Sequence, residues 1–403
     1  MPTIAHPIDV AWVSTGGTGA QNYDEFASEA EIEAIIARHP DTVLAIEMPH
    51  CTPEARMAQT SFGDALPTAT RRLAELKAEG RFRPESDVVA LYRITSELAV
   101  AYGVLLMVDT DQISDAAGRP GRVIRNEDVF PAKVAERTAL IAAVRHLLSP
   151  VLLLQSEGGA ELEDHLAALI ASVGEPTVSE TDQLGQYHEF WLLPPGEDRE
   201  AVLAAVNTGQ LVVADGNHRT LAAQEAGLPR FLAVVTTPGS VHIRPYNRLV
   251  GSLGMTADDF LGRLRDTGAQ VLPWEGEVAV PVLPGTIAVV LPHGQTYAVG
   301  LPQVATGSVV DRLDHSIVER VVLGDILGIR PNDSAVSYVG GDYPVDWLTG
   351  EVDAGRAEAA LLISPVSVQD FLAVNLERLK MPRKSTWFSP KARAGLILAE
   401  LPS

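Results

Sequence analysis

Leu211-Val212-Val213-Ala214-Asp215-Gly216-Asn217-His218-Arg219-Thr220, followed by Leu-Ala-Ala-Gln-Glu-Ala-Gly227, is the stretch whose chemistry organises this chain. A short apolar run ends at Asp215-Gly216. Helix-like composition follows and stops at Gly227. The segment predicts strand, tight turn and helix. A helix start carries unpaired N–H groups and a partial positive charge, so it attracts anions such as phosphate. His218 and Arg219 add side-chain donors beside those amides. Asp215 adds a carboxylate suited to holding a metal ion or accepting a proton. The plainer reading is an ordinary turn, with Asp-Gly for backbone geometry and His and Arg on a solvated helix face.

Around this stretch, short apolar runs alternate with helical patterns. Ser28-Glu-Ala-Glu31 opens one helix with a capping box. Pro67–Glu79 reads as a second, with proline at its first position and Gly80 as its stop. Val88–Ile94 and Ala101–Asp109 read as strands, and 111–122 as a polar loop. Ala132–Leu148 is an amphipathic helix, with Val134, Ile141, Val144 and Leu148 at helical spacing. Val151–Leu154, Tyr187–Leu193 and Phe231–Val235 are strands, and Asp198–Asn207 is a helix. Further on, Ile287–Leu291 and Tyr297–Leu301 suit a hairpin. Thr256 suits a helix cap, Ala359–Ser364 a strand and Val368–Arg378 a helix. The expected class is α/β with a mixed sheet, in three regions: 1–115, a core at 116–250, and 251–403 with a basic tail.

Lys and Arg total 31 and Asp and Glu 52, a formal charge of −21. Such a surface repels nucleic acid and anionic membranes at long range, so nucleic acid is disfavoured as a partner. The one cysteine, Cys51, beside His50, rules out an intrachain disulfide and a zinc site built from several cysteines. The N-terminal residues lack a signal-peptide pattern, and no apolar run reaches spanning length. A cytoplasmic location, with no membrane partner, is expected.

Other strings carry weaker signals. Arg125-Asn126-Glu127-Asp128 follows a short apolar run; surface charge is the plain reading, and a carboxylate that deprotonates a hydroxyl is the sharper one. Lys384-Ser385-Thr386 resembles the end of a P-loop. The preceding Gly-x-x-x-x-Gly is missing and Pro382 stands there, so that motif is rejected. A basic surface tail and a segment folded over a phosphate site both remain open. Ser14-Thr-Gly-Gly-Thr-Gly19 reads best as a flexible loop. No His-Glu-x-x-His or Gly-x-Ser-x-Gly occurs, which argues against a His-based metalloenzyme and an α/β-hydrolase.

Together these strings resemble a known family. Asp215-Gly-Asn-His-Arg219 is similar to the Asp-Gly-x-His-Arg box of free-serine kinases, within the ParB/sulfiredoxin-like superfamily. The wider resemblance is to a large bacterial family, domain of unknown function 1015. Ile124–Arg137 resembles that family's Pro-His-Glu segment and the Lys-x-x-Arg helix after it. Leu148-Ser-Pro-Val151 resembles its Leu-Ser-Pro box. Met381-Pro-Arg-Lys-Ser-Thr-Trp-Phe-Ser-Pro-Lys391 is close to its C-terminal signature. The departures are Arg125-Asn126 for Pro-His, Asn217 for a histidine, Thr220-Leu221 for an aromatic–acidic pair, and Gly19–Asp24 where Pro-Pro-Tyr-Asp is expected.

The resemblance implies a ParB/sulfiredoxin-like nucleotide-binding core with α/β additions at both ends. It implies a nucleotide-dependent kinase of a small metabolite's hydroxyl, L-serine or a serine-like amino acid, with ATP or ADP and Mg²⁺ as cofactors. Glu127 maps to the catalytic base. Asp215, Gly216, His218 and Arg219 map around the phosphates and Mg²⁺, with Asp215 as metal ligand or proton acceptor. Asn217, Thr220, Lys384 and Ser385 are added as nucleotide-binding candidates, and Arg125, Lys133 and Arg137 as substrate-binding ones. The alternative is a ParB-type nucleotide-binding switch without turnover. Homodimerisation is left open.

Overall fold

The computed structural model describes residues 3–97, 99–114, 121–304, 306–330 and 333–402. The expected loop at 111–122 lies partly outside these. The chain divides into two compact units, one of Met1–His242 with Pro390–Ser403 and one of Ile243–Ser389. The expected regions 1–115 and 116–250 therefore share one unit up to His242, and the last residues of the tail return to it.

The first unit is built on a large mixed sheet. Its central order is Val123–Ile124, Leu211–Asp215, Val151–Gln155, Arg230–Thr236, Val100–Asp109, Phe82–Thr95, Ile8–Ser14 and Ile397–Glu400. Leu211–Asp215 runs parallel to Val123–Ile124 and antiparallel to Val151–Gln155. Val151–Gln155 runs parallel to Arg230–Thr236. Every residue of Val151–Gln155 is buried, as a strand covered on both faces must be, which explains its unbroken apolar run. Tyr187–Leu193 pairs with Phe82–Thr95, placing Phe190 and Trp191 in the core.

Helix Pro131–Val144 packs against both Phe62–Ala78 and Asn217–Glu225. Three expected boundaries move, the first being the strand expected from Val88, which already begins at Phe82. The helix predicted from Pro67 begins at Phe62, capped by the Ser61 hydroxyl, which accepts from the Asp64 amide. Proline at 67 costs one intrahelical bond, and an interior proline is tolerated where packing holds the helix. The helix expected to reach Leu148 ends at Val144, because Arg145 adopts φ +56 and turns the chain into the short strand His146–Leu147. The strands and helices anticipated at 151–154, 187–193, 198–207 and 231–235 form close to the expected limits.

The second unit holds an antiparallel sheet ordered Gln270–Pro273, Gln295–Gly300, Thr286–Leu291, Ala359–Ile363, Asn247–Val250 and Val336–Val339. Thr286–Leu291 and Gln295–Gly300 are the anticipated hairpin, and Thr256 caps its helix by accepting from the Asp259 amide. His315 is fully buried here. Burial first, and Arg248 second, push its pKa down to about 3 from 6.5. A depressed histidine stabilises the fold fully above pH 6.5, and that contribution is lost as pH falls toward 3. His315→Gln is therefore expected to flatten the acid limb of this unit's unfolding between pH 6 and pH 4, roughly the window below an ordinary histidine pKa. An unchanged limb in a pH series of urea melts would refute this.

Candidate active site

The turn after Leu211–Asp215 is built by local geometry. A register shift between Val213 and Asp215 marks a β-bulge, which re-aims the end of the strand. Gly216 follows at φ +102, in the left-handed region that glycine alone enters freely. A Cβ there would stand 3.1 Å from Arg219 Nε and 3.2 Å from Val151 Cγ2. Gly216→Ala is expected to destabilise by ~1–3 kcal/mol, the usual cost of such backbone strain. A denaturant midpoint equal to that of the unchanged protein would contradict this.

Helix Asn217–Glu225 begins immediately, and Asn217, His218, Arg219 and Thr220 are all buried. The solvated-face reading of His218 and Arg219 is therefore replaced by a buried polar centre. The Thr220 hydroxyl donates to the Asn217 carbonyl at 2.8 Å, so its role is to close the first turn. Asn217 Nδ2 donates to Asn126 Oδ1 at 2.5 Å. The Phe130 amide donates to His218 Nε2 at 3.1 Å, and the two rings lie parallel with centroids 6.0 Å apart. Accepting at Nε2 leaves the His218 proton on Nδ1. These contacts seam the 125–130 segment, with Arg125 and Glu127 half-buried, to the Asp215 turn.

Asp215 is the anion of a three-membered cluster. Its Oδ2 accepts from Arg219 Nη2 at 2.5 Å and its Oδ1 from Lys391 Nζ at 2.8 Å. Burial opposes the charge on Lys391, but the carboxylates of Asp215, Glu25 and Asp24 outweigh it and raise the lysine pKa. Arg219 behaves alike: burial opposes its charge, and Asp215 and Asp24 overcome that. Arg219 Nη1 also reaches the Pro150 carbonyl at 2.5 Å and Asn22 Oδ1 at 3.3 Å. From Asn22 the network continues. Asn22 Nδ2 donates to Glu25 Oε1 at 2.8 Å, and Glu25 Oε2 pairs with Arg393 at 3.1 Å. Arg393 Nε donates to Asp182 Oδ2 at 2.8 Å, and His188 Nε2 meets the same oxygen at 3.1 Å. Burial opposes ionisation of Asp182, yet the bonds from His188 and Arg393 prevail and lower its pKa.

Of the substrate-binding candidates, Lys133 is half-buried and pairs with Glu136 at 3.3 Å. Arg137 is buried, with Cζ 4.1 Å from the Tyr23 ring centre and 5.0 Å from that of Phe62. Lys384 and Ser385 belong to the other compact unit. There Lys384 adopts φ +52 with Nζ 5.6 Å from the Tyr246 ring centre, and the Ser385 hydroxyl donates to the Pro382 carbonyl at 2.7 Å. The Gly-rich stretch at 14–19 presents its Gly17 amide to Glu180 Oε2 at 3.1 Å, so that amide serves the protein itself.

Sequence reasoning missed Asn22, Asp24, Glu25, Glu47, Lys391 and Arg393 as site residues. The signal for three of them was at hand: Asn22 and Asp24 lie in the Gly19–Asp24 string, and Lys391 closes the tail signature. For a divalent cation, both Asp215 oxygens are already engaged by cations. Asp24, whose buried Oδ1 has no partner among the described residues, is the carboxylate that fits better.

The family model described as a protein of unknown function (DUF1015) matches residues 18–316, and the chain belongs to that family. Among solved structures, it is similar to a free serine kinase in complex with AMP. The identity is 11%, the TM-score 0.39, and the match covers 72% of this chain and 91% of that one. It is also similar to a conserved hypothetical protein from Pyrococcus furiosus, at 12% identity and TM-score 0.37, covering 72% and 93%. A third is SbnI with a C-terminal truncation from Staphylococcus aureus, at 14% identity and TM-score 0.39, covering 74% and 87%. No curated protein matches the chain. Among the described residues, no helix is long and apolar enough to cross a membrane.

Proposed function

We propose that this chain is a nucleotide-dependent kinase that phosphorylates the hydroxyl of a small amino acid, L-serine or one like it. The observation that carries this reading is the seam between Asn126 and Asn217, at 2.5 Å, which sets the Glu127 segment beside the Asp215 turn. In the proposed reaction Glu127 removes the hydroxyl proton as the oxygen attacks the terminal phosphorus of the donor. The bond from that phosphorus to the bridging oxygen breaks, and the shortened nucleotide leaves. The helix start at Asn217, with His218 and Arg219, holds phosphate oxygens. Arg219 and Lys391, held protonated by Asp215, supply positive charge; phosphoryl transfer depends chiefly on such placement and neutralisation.

The finer parts of this reading are a ParB/sulfiredoxin-like core, ATP or ADP as donor, and a cytoplasmic setting. Mg²⁺, held by Asp24 with Asp215 in support, would neutralise phosphate charge. Arg125 and Lys133 would border the acceptor. The test is a donor-by-acceptor screen: ATP, ADP or CTP against L-serine and related hydroxy amino acids, read as phosphorylated product. Product with one pair, and none without acceptor, supports the kinase. Nucleotide binding with no product across the screen would instead indicate a nucleotide-driven switch.

A further inference from the structure

Arg137 is permanently charged and only 3% exposed. Among the described residues its Nε and Nη1 have no hydrogen-bond partner, and Nη2 has only Met48 Sδ at 3.8 Å. Among the described residues no carboxylate forms an ion pair with it. The Tyr23 and Phe62 rings stabilise its face and fix its plane. They do nothing for the N–H groups at its edge. A buried cation in this state calls for an anion.

The space for one is present. A cavity of about 40 Å³ is lined by Arg137, Arg219, Glu47 and Ser149, with apolar walls that include Leu140 and Phe231. Three of the five polar wall residues have an unmet polar atom: among the described residues Arg219 Nε and Glu47 Oε2 also lack partners, while His146, the fifth, has both ring nitrogens engaged by Lys77 and the Val144 carbonyl. Ser149 instead spends its hydroxyl on Glu47 Oε1. At roughly 10–15 Å³ per water-sized probe, the cavity has room for about three light atoms. That is the size of a carboxylate, and too small for a phosphate with its four oxygens. The geometry points to this cavity as a subsite for the carboxylate of a small organic acid, held by the free N–H groups of Arg137 and Arg219 and by Glu47 through a proton. Burial, opposed by Arg137, pushes the Glu47 carboxyl up, which favours the protonated form needed to donate. In the reaction above the acid is the amino-acid acceptor. That identification rests on the kinase reading; the anion-holding role of Arg137 does not.

The test compares three probes on the full chain by calorimetry, with and without ADP: L-serine, L-serinamide and glycolate. L-Serine is expected to bind at least ~10-fold more tightly than L-serinamide, the scale of one charged hydrogen bond. Arg137→Gln is expected to abolish the difference, and Arg137→Lys to keep part of it. The comparison on the unchanged protein stands even if a variant fails to fold. Equal binding of L-serine and L-serinamide overturns the subsite and leaves the acceptor reading intact. Glycolate binding that depends on Arg137, with no phosphorylated product from any donor, keeps the subsite and removes the kinase. No binding of any probe, the cavity holding water only, overturns the proposal.

Discussion

Glu127→Gln is expected to lower phosphoryl transfer by ~10²–10⁴-fold, the usual contribution of a positioned base. Glutamine keeps the shape and loses the proton-accepting charge. Nucleotide affinity should hardly change, because the groups proposed to hold phosphate belong to the helix start at 217–219 and not to the Glu127 segment. The loss should therefore fall on kcat and spare the nucleotide KM. Full turnover in the variant would remove Glu127 as base even with the kinase reading intact. Asn126→Ala makes a useful companion. It leaves the carboxylate in place and cuts the tie to the 215 turn, so a comparable loss of turnover would show that placement, as well as basicity, is at work.

The second large effect concerns stability. Asp215→Ala should destabilise the first unit by ~3–5 kcal/mol, the cost of leaving a buried ion unpaired. The side chains of Asp215, Arg219 and Lys391 are 14%, 9% and 8% exposed, so little solvent screens the cluster. Without the carboxylate, two buried cations face each other. Adding Lys391→Met to Asp215→Ala should recover part of the loss, since one of those cations is then gone. Urea melts of the two singles and the double form the cycle that measures this coupling. A loss under ~1 kcal/mol for Asp215→Ala would place the cluster among weak surface pairs.

Local signals carried much of the fold. The unbroken apolar runs at 151–154 and 211–214 gave buried strands, and Thr256 gave a helix start, because burial on both faces and capping are properties of a few adjacent residues. The first turn of the helix at Phe62–Ala78 escaped because Pro67 is a stronger local start signal than the Ser61 that caps it. Packing against Pro131–Val144 holds the helix through the proline.

The candidate site divides along the same line. The Asp215-Gly216 turn was legible because a bulge, a left-handed glycine and a helix start need only neighbouring residues. The charge state of its side chains was not. Lys391 lies 176 positions from Asp215, and Asn126 lies 91 from Asn217. Strand pairing between Leu211–Asp215 and Val123–Ile124 brings the second pair together, and only the folding of the 390–396 segment back onto the first unit brings the first.

By itself, the sequence determined many of the strands and helices, the strand–turn–helix at 211–225 and the absence of an intrachain disulfide, since periodicity, turn chemistry and cysteine count are written along the chain. Tertiary structure alone decided that Asp215 is shared by two cations, that His218 and Arg219 are buried, and that Arg137 has aromatic faces but no ion-pair partner among the described residues. The reason is that dielectric surroundings and ion pairing depend on what the sheet packs together in space, and residues distant along the chain supply most of it.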